Sequence, residues 1–182
     1  MRICGGQFRG RKLNTPTSND IRPTSDKVRQ ALFNMLESRG LIQESIVLDG
    51  FCGTGALGLE ALSRGAEFTI FIDKDRRSID VCNKNIKMLE VEDQTKSICF
   101  DTSKAKPKPE NLPQADLIFL DPPYHKDLIT QAIDALEQGN WIKQSAVFIL
   151  ESEKQFNFTK TGFSLVQEKD YKDTKIMIVQ KR

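Results

Sequence analysis

Ile46-Val47-Leu48-Asp49-Gly50-Phe51-Cys52-Gly53-Thr54-Gly55-Ala56-Leu57-Gly58 joins a short apolar run to an acid, a glycine-punctuated turn and the opening of a helix. The run 46–48 is too short for a helix and reads as a buried strand ending at Asp49. After the glycines, Leu57, Leu59, Ala61 and Leu62 supply an apolar helical face, and Gly65 follows as a C-terminal stop. A strand that enters a helix through a glycine turn is one βα unit. The same alternation extends from it in both directions.

Downstream, 68–72 is a second strand ending at Asp73, and 76–90 a helix with Ile79, Cys82, Ile86 and Leu89 on one side. A third strand covers 97–100 and is followed by Asp101. The proline- and lysine-bearing loop 104–113 leads into a fourth strand at 115–120, then a helix near 127–138 and a strand at 146–150. The segments 163–168 and 175–179 form a closing hairpin. Upstream, Val28, Leu32, Met35 and Leu36 share a helical face, with Thr24 or Ser25 as cap. Five βα-like units and a hairpin predict an α/β fold: a mainly parallel seven-stranded sheet with an antiparallel C-terminal edge and helices on both faces.

The fourth strand stops at Asp121-Pro122-Pro123-Tyr124. In open α/β sheets, ligands bind outside the carboxyl ends of the strands. The prolines fix φ and carry no N–H, so this turn offers carbonyl acceptors, an acid and an aromatic face together. That set suits a nucleobase with an amino group. His125 follows directly, and a lone histidine after a turn is more often incidental than a base. Glu151 and Glu153, beyond the strand at 146–150, read as solvated acids, and Trp141 and Phe148 as packing.

Gly53, Gly55 and Gly58 also spell the dinucleotide pattern GxGxxG, with Asp73 at a ribose-binding distance. Two features oppose a dinucleotide. Gly50-Phe51-Cys52 intervene between the strand and the first of these glycines. Asp49 would also set a carboxylate where a pyrophosphate must settle. S-adenosylmethionine has no phosphate and carries an ammonium and a sulfonium, so the acid helps. In this reading Asp49 meets the positive charge, Gly53 and Gly55 let the backbone pass close to the methionine and ribose parts, and Asp73 accepts from the ribose hydroxyls. Lys74 packs on adenine, and Asp101 accepts from the adenine amino group.

Composition adds exclusions. At 182 residues with 29 % charged, the chain suits one ordinary domain, and no apolar run approaches a membrane span. The opening MRICGGQFRGRK lacks the apolar centre of a secretory signal. Four scattered cysteines without a CxxC pair, and one histidine, predict no structural metal and a reduced, cytoplasmic setting. No long heptad calls for a partner copy, so a monomer is expected. Residues 1–39 hold eight Lys or Arg against three acids, leaving the rest of the chain at −3. A basic arm over 1–23, with room for a small β-hairpin and with Phe8 among its glycines and arginines, reads as a polyanion-binding extension that contacts RNA or DNA.

DGFCGTGALGLEAL and DPPY in this order resemble the S-adenosylmethionine-dependent amino-methyltransferases of nucleic acids. With RICGGQFRGRKL and IRPTSDKVRQALFNML, the chain resembles more narrowly the bacterial 16S ribosomal RNA guanine 2-amino methyltransferases of the RsmD type. The likeness runs over essentially the whole chain. It implies methylation of a guanine 2-amino group in the small ribosomal subunit or its assembly intermediate. It also implies a class I, Rossmann-like methyltransferase domain over 24–182, with Asp49, Phe51, Gly53, Thr54 and Gly55 lining the methionine and ribose part of the cofactor and the segment Arg22-Pro23-Thr24 near its methionine end. Asp121, Pro122, Pro123 and Tyr124 would form the catalytic pocket, and Arg2, Arg9, Arg11, Lys12 and Arg22 would face the RNA. A DNA adenine amino-methyltransferase and a non-catalytic ribosome-assembly protein are the alternatives. The first would need a target-recognition region for which no segment is long enough.

Overall fold

The computed structural model describes residues 1–16, 26–123, 127–171 and 174–182. Strand β1 (Ile46–Gly50) is buried at every position, as befits the middle of a parallel sheet. It leads through the glycine turn into α2 (Ala56–Ser63), which follows α1 (Asp26–Ser38). Then come β2 (Phe68–Asp73), α3 (Arg76–Leu89), β3 (Thr95–Cys99), β4 (Ala115–Leu120), α4 (Leu128–Gln138), β5 (Ile142–Glu153), β6 (Phe163–Tyr171) and β7 (Thr174–Lys181). One seven-stranded sheet results, ordered β3-β2-β1-β4-β5-β7-β6. Strands β1 to β5 pair in parallel, and β7 pairs antiparallel with both β5 and β6. No helix among the described residues is long and apolar enough to cross a membrane.

Alternation along the strands splits the core in two. Val47, Phe71, Phe119 and Ile149 face α1, α2 and α3, while Leu48, Ile70, Ile118 and Leu150 face α4. Helix α3 starts where Asp75 accepts the Arg77 N–H at 2.9 Å, and ends at Glu90 in the left-handed region. Asp75 is therefore the cap, which leaves Asp73 available for another role. No long helix bridges β3 and β4; a 3₁₀ turn at Thr102–Lys104 and the proline loop do so. That loop is anchored where the buried Trp141 donates from Nε1 to the Lys106 carbonyl at 2.7 Å.

Sequence expectations are adjusted at α1 and β3, and β5 begins at Ile142, ahead of the expected 146. The inward face of α1 is Arg29, Leu32, Phe33 and Leu36, with Val28 and Met35 only at its margin. Strand β3 runs 95–99 and not 97–100, because it pairs with β2 from Thr69↔Thr95 to Asp73↔Cys99.

The N-terminal residues are packed and not loose. Arg2 and Lys12 form an antiparallel bridge, and Ile3 and Leu13 are buried in the α1–α3 core. Glu60 of α2 is fully buried and takes the backbone N–H groups of Cys4 and Gly5 at 2.7 and 2.8 Å. Arg64 Nε donates to the same carboxylate at 2.8 Å, with Arg29 Nε 3.7 Å away. A carboxylate removed from water needs such saturation by donors and counter-charges. It is this cluster that seats the arm.

Candidate active site

The sheet order reverses between β1 and β4: from β1 the chain crosses outward to β2 and β3, and β4 begins the other half. Such a switch point leaves a crevice at the carboxyl ends of the two strands. Asp49, next to last in β1, stands on one side of it, and Asp121 follows β4 on the other. Register decides which way the acids point. Phe71, Asp49 and Phe119 are direct neighbours on β2, β1 and β4, and Phe119 pairs with Ile149 on β5. Asp73, Asp121 and Glu151 each lie two residues beyond a member of that row, and a period of two brings all of them to the α1–α3 side.

The glycine turn is tied to this rim by two carboxylates. Asp49 Oδ2 accepts the Gly58 N–H at 2.9 Å, and Asp73 Oδ2 accepts the Gly53 N–H at 2.9 Å. Asp73 Oδ1 takes the Asp75 N–H, also at 2.9 Å. Gly53 has φ +54 with nothing within 4 Å of where a Cβ would stand, so its backbone is open to a ligand. Gly55, at φ +78, is confined instead: a Cβ there would meet Cys82 Sγ at 2.6 Å. Phe51 also holds a positive φ, 78°, a strained state for a bulky residue. It is fastened by N–H bonds from Phe51 and Cys52 to the Ile72 carbonyl, at 2.8 and 3.0 Å.

Burial and crowding raise the proton affinity of most of these acids. Burial pushes the Asp49 carboxyl up to about 7 despite the Gly58 hydrogen bond, and Asp73 adds to the rise. Asp121 is raised well above the usual range, by burial first and then by the charges of Glu151 and Asp49. Asp73 is raised by burial. Asp101 moves the other way, lowered chiefly by the Ser103 hydroxyl, which donates to it at 2.7 Å. A rim of this kind repels phosphate and favours a cation. It fits the methionine, sulfonium and ribose parts of S-adenosylmethionine.

The other predicted residues are placed unequally. Lys74 is exposed beside Asp73. Thr54 is buried with its hydroxyl 3.6 Å from the Met1 sulfur, so its side chain belongs to the floor of the loop. Arg2, Arg9, Arg11 and Lys12 lie on the packed arm, where Arg11 donates to the Met88 carbonyl at 2.8 Å. Tyr124 and His125 of the proline turn, and Arg22 and Thr24, lie outside the described residues.

Three contributors escaped sequence reading. Asn85 is fully buried and joins the arm to the loop: its amide donates to the Thr54 carbonyl at 2.9 Å and accepts the Asn14 N–H at 2.7 Å. Its signal is a polar residue inside the apolar stripe of α3, between Cys82 and Ile86. Glu60 interrupts α2 in the same way. Glu151 is no remote solvated acid, because its charge reaches Asp121 and it lines a cavity of about 410 Å³ with Pro122 and Pro123.

Known proteins resemble the whole chain. A family model described as "Conserved hypothetical protein 95" matches residues 1–180. The Ribosomal RNA small subunit methyltransferase D of Haemophilus influenzae is 39 % identical over 171 residues, spanning 93 % of this chain and 88 % of that protein. The protein of the same name from Escherichia coli K12 is 38 % identical over 157 residues, 84 % of this chain and 75 % of its own. Among solved structures, the putative methyltransferase yhhF from Escherichia coli aligns with a TM-score of 0.84 at 33 % identity, covering 100 % of this chain and 98 % of that one.

Proposed function

Because this chain belongs to the family described as Conserved hypothetical protein 95, we propose that it methylates the 2-amino group of a guanine in 16S ribosomal RNA, with S-adenosylmethionine as donor. The observation that carries the reading is the pair of acids, Asp49 and Asp121, on either side of the switch-point crevice and facing the same way. Asp49, Phe51, Gly53, Gly55, Asp73, Lys74 and Asp101 would hold the cofactor, and Asp121, Pro122, Pro123 and Tyr124 the base. Bound there, S-adenosylmethionine supplies a methyl group on positively charged sulfur.

The protein's part is to turn a weak nucleophile toward that carbon. The lone pair of the 2-amino nitrogen is delocalised into the guanine ring. When the Asp121 carboxylate and the Pro122 carbonyl accept its two N–H groups, the nitrogen pyramidalises and its lone pair turns outward. Positioning of this kind contributes roughly 7–11 kcal/mol to lowering a barrier. Asp121 then takes the proton that the methylated nitrogen sheds, and its raised affinity for protons suits that task. A nearby cation favours the ionised form of Asp121 beforehand, so it accepts hydrogen bonds before it accepts a proton. Tyr124 stacks on the base, a contact worth about 1–3 kcal/mol. The arm supplies sequence-independent attraction to phosphate.

Methyl-labelled cofactor, unmodified 16S RNA and small subunits assembled on it test the proposal. Digestion to nucleosides followed by mass analysis should place the label in N2-methylguanosine. Label in an adenosine, or in no nucleoside of either substrate, would overturn it.

A further inference from the structure

The cavity beneath Pro122 and Pro123 has a charge that the basic arm does not prepare one for. Its walls include Asp127, Glu151 and Glu153, and among its described lining residues there is no Lys or Arg. At about 410 Å³ it lies within the roughly 300–1,000 Å³ common for small-ligand sites. The carboxylates among its described walls would welcome a group rich in N–H donors. Phe156 gives it an aromatic wall. The cavity also takes in Ile129 and Thr130 of α4 and does not include Asp121, so Glu151 stands at its border with the surroundings of Asp121, whose proton affinity its charge raises.

Strand register gives the reason. Leu120 pairs with Leu150, so Asp121 and Glu151 are the next residues outward on adjacent strands. Parallel neighbours stand about 4.8 Å apart, and residues in register project to the same side. The Watson–Crick edge of guanine carries N1–H and the 2-amino group side by side, both donors. Adenine presents an acceptor at N1.

Resting on the methylation reading above, we propose that Glu151 is the residue that selects guanine, its carboxylate accepting N1–H while Asp121 accepts from the adjacent 2-amino group. A base with a lone pair at N1 then meets a carboxylate with no hydrogen between them. Repulsion of this sort builds selectivity more strongly than a missing contact.

Small-subunit RNA carrying guanosine or 2-aminopurine at the labelled position tests the assignment. 2-Aminopurine keeps the 2-amino group but has no N1–H. The wild-type protein should methylate it roughly 100-fold or more less efficiently in kcat/KM. In the presence of S-adenosylhomocysteine it should also bind that RNA more weakly than the guanosine form. Glu151→Gln can turn either its oxygen or its amide nitrogen to the base, so the ratio between the two RNAs should shrink to within about tenfold. Equal wild-type rates on both RNAs, or a Glu151→Gln loss of the same factor on each, would overturn the role of Glu151 while leaving guanine methylation standing. Failure to label guanosine at all would remove both.

Discussion

Titrating cofactor binding from about pH 8 to 6 probes the electrostatics of the acidic rim, beginning with Asp49. Burial lifts this carboxyl to about 7, because desolvation outweighs the N–H it receives from Gly58. That is about three units above a carboxyl in water. A carboxyl raised on folding favours the folded chain at low pH. The contribution is complete below about pH 4 and is lost as pH rises through the folded value near 7. At about 1.36 kcal/mol per unit, the loss comes to about 4 kcal/mol. A sulfonium or ammonium at the rim favours the ionised form, so binding expels the proton.

Affinity then follows the ionised fraction of Asp49, about 0.9 at pH 8, one-half at pH 7 and one-eleventh at pH 6. S-adenosylmethionine should bind about tenfold more weakly at pH 6 than at pH 8, with about 0.9 proton released per site at the lower pH. Calorimetry in buffers of contrasting ionisation enthalpy measures both quantities. Asp73 and Asp121 are raised as well, so the wild-type curve carries their protons too. Asp49→Asn isolates the first: its amide oxygen still accepts the Gly58 N–H, but one proton of the linkage is gone. Equal pH slopes in the two proteins would refute the reasoning.

Asp121→Ala should lower kcat by about 10²–10⁴-fold while cofactor affinity at pH 8 changes little; parallel loss of both in a calorimetric and turnover comparison would make the residue structural. Glu60→Ala leaves Arg29 and Arg64 without their buried counter-charge and frees the arm, at a cost of about 3–5 kcal/mol. For a chain of this length that is a fall in Tm of roughly 10 °C, read by thermal unfolding, with faster tryptic cutting at Arg9. Arg9→Ala should weaken RNA binding and flatten its dependence on log salt by about 1. Arg11→Ala acts differently, since its guanidinium is spent partly on the Met88 carbonyl and its loss loosens the arm as well.

The parallel sheet, the antiparallel closing hairpin, the glycine turn and the proline motif were all legible in the amino-acid order, because each is written in local signals. Apolar runs of strand length, a 3.6-residue stripe and glycines or prolines at fixed places need no knowledge of the rest of the chain. The position of Asp49 against the requirements of a phosphate ligand was equally local, and it separated two cofactors from one sequence. Relations between distant segments were not legible. Glu60 reads as one more helix former, yet the backbone of Cys4 and Gly5 depends on it. Asn85 looks like an interruption of a stripe until Asn14 and Thr54 arrive at its amide. Glu151 resembles any surface acid after a strand, and only the pairing of β4 with β5 sets it beside Asp121. Hydrophobic patterning acts over a few residues and determines which elements form. Coulomb forces and hydrogen bonds act between whatever the packed elements bring together, so the protonation and partners of these groups were decided by the tertiary structure alone.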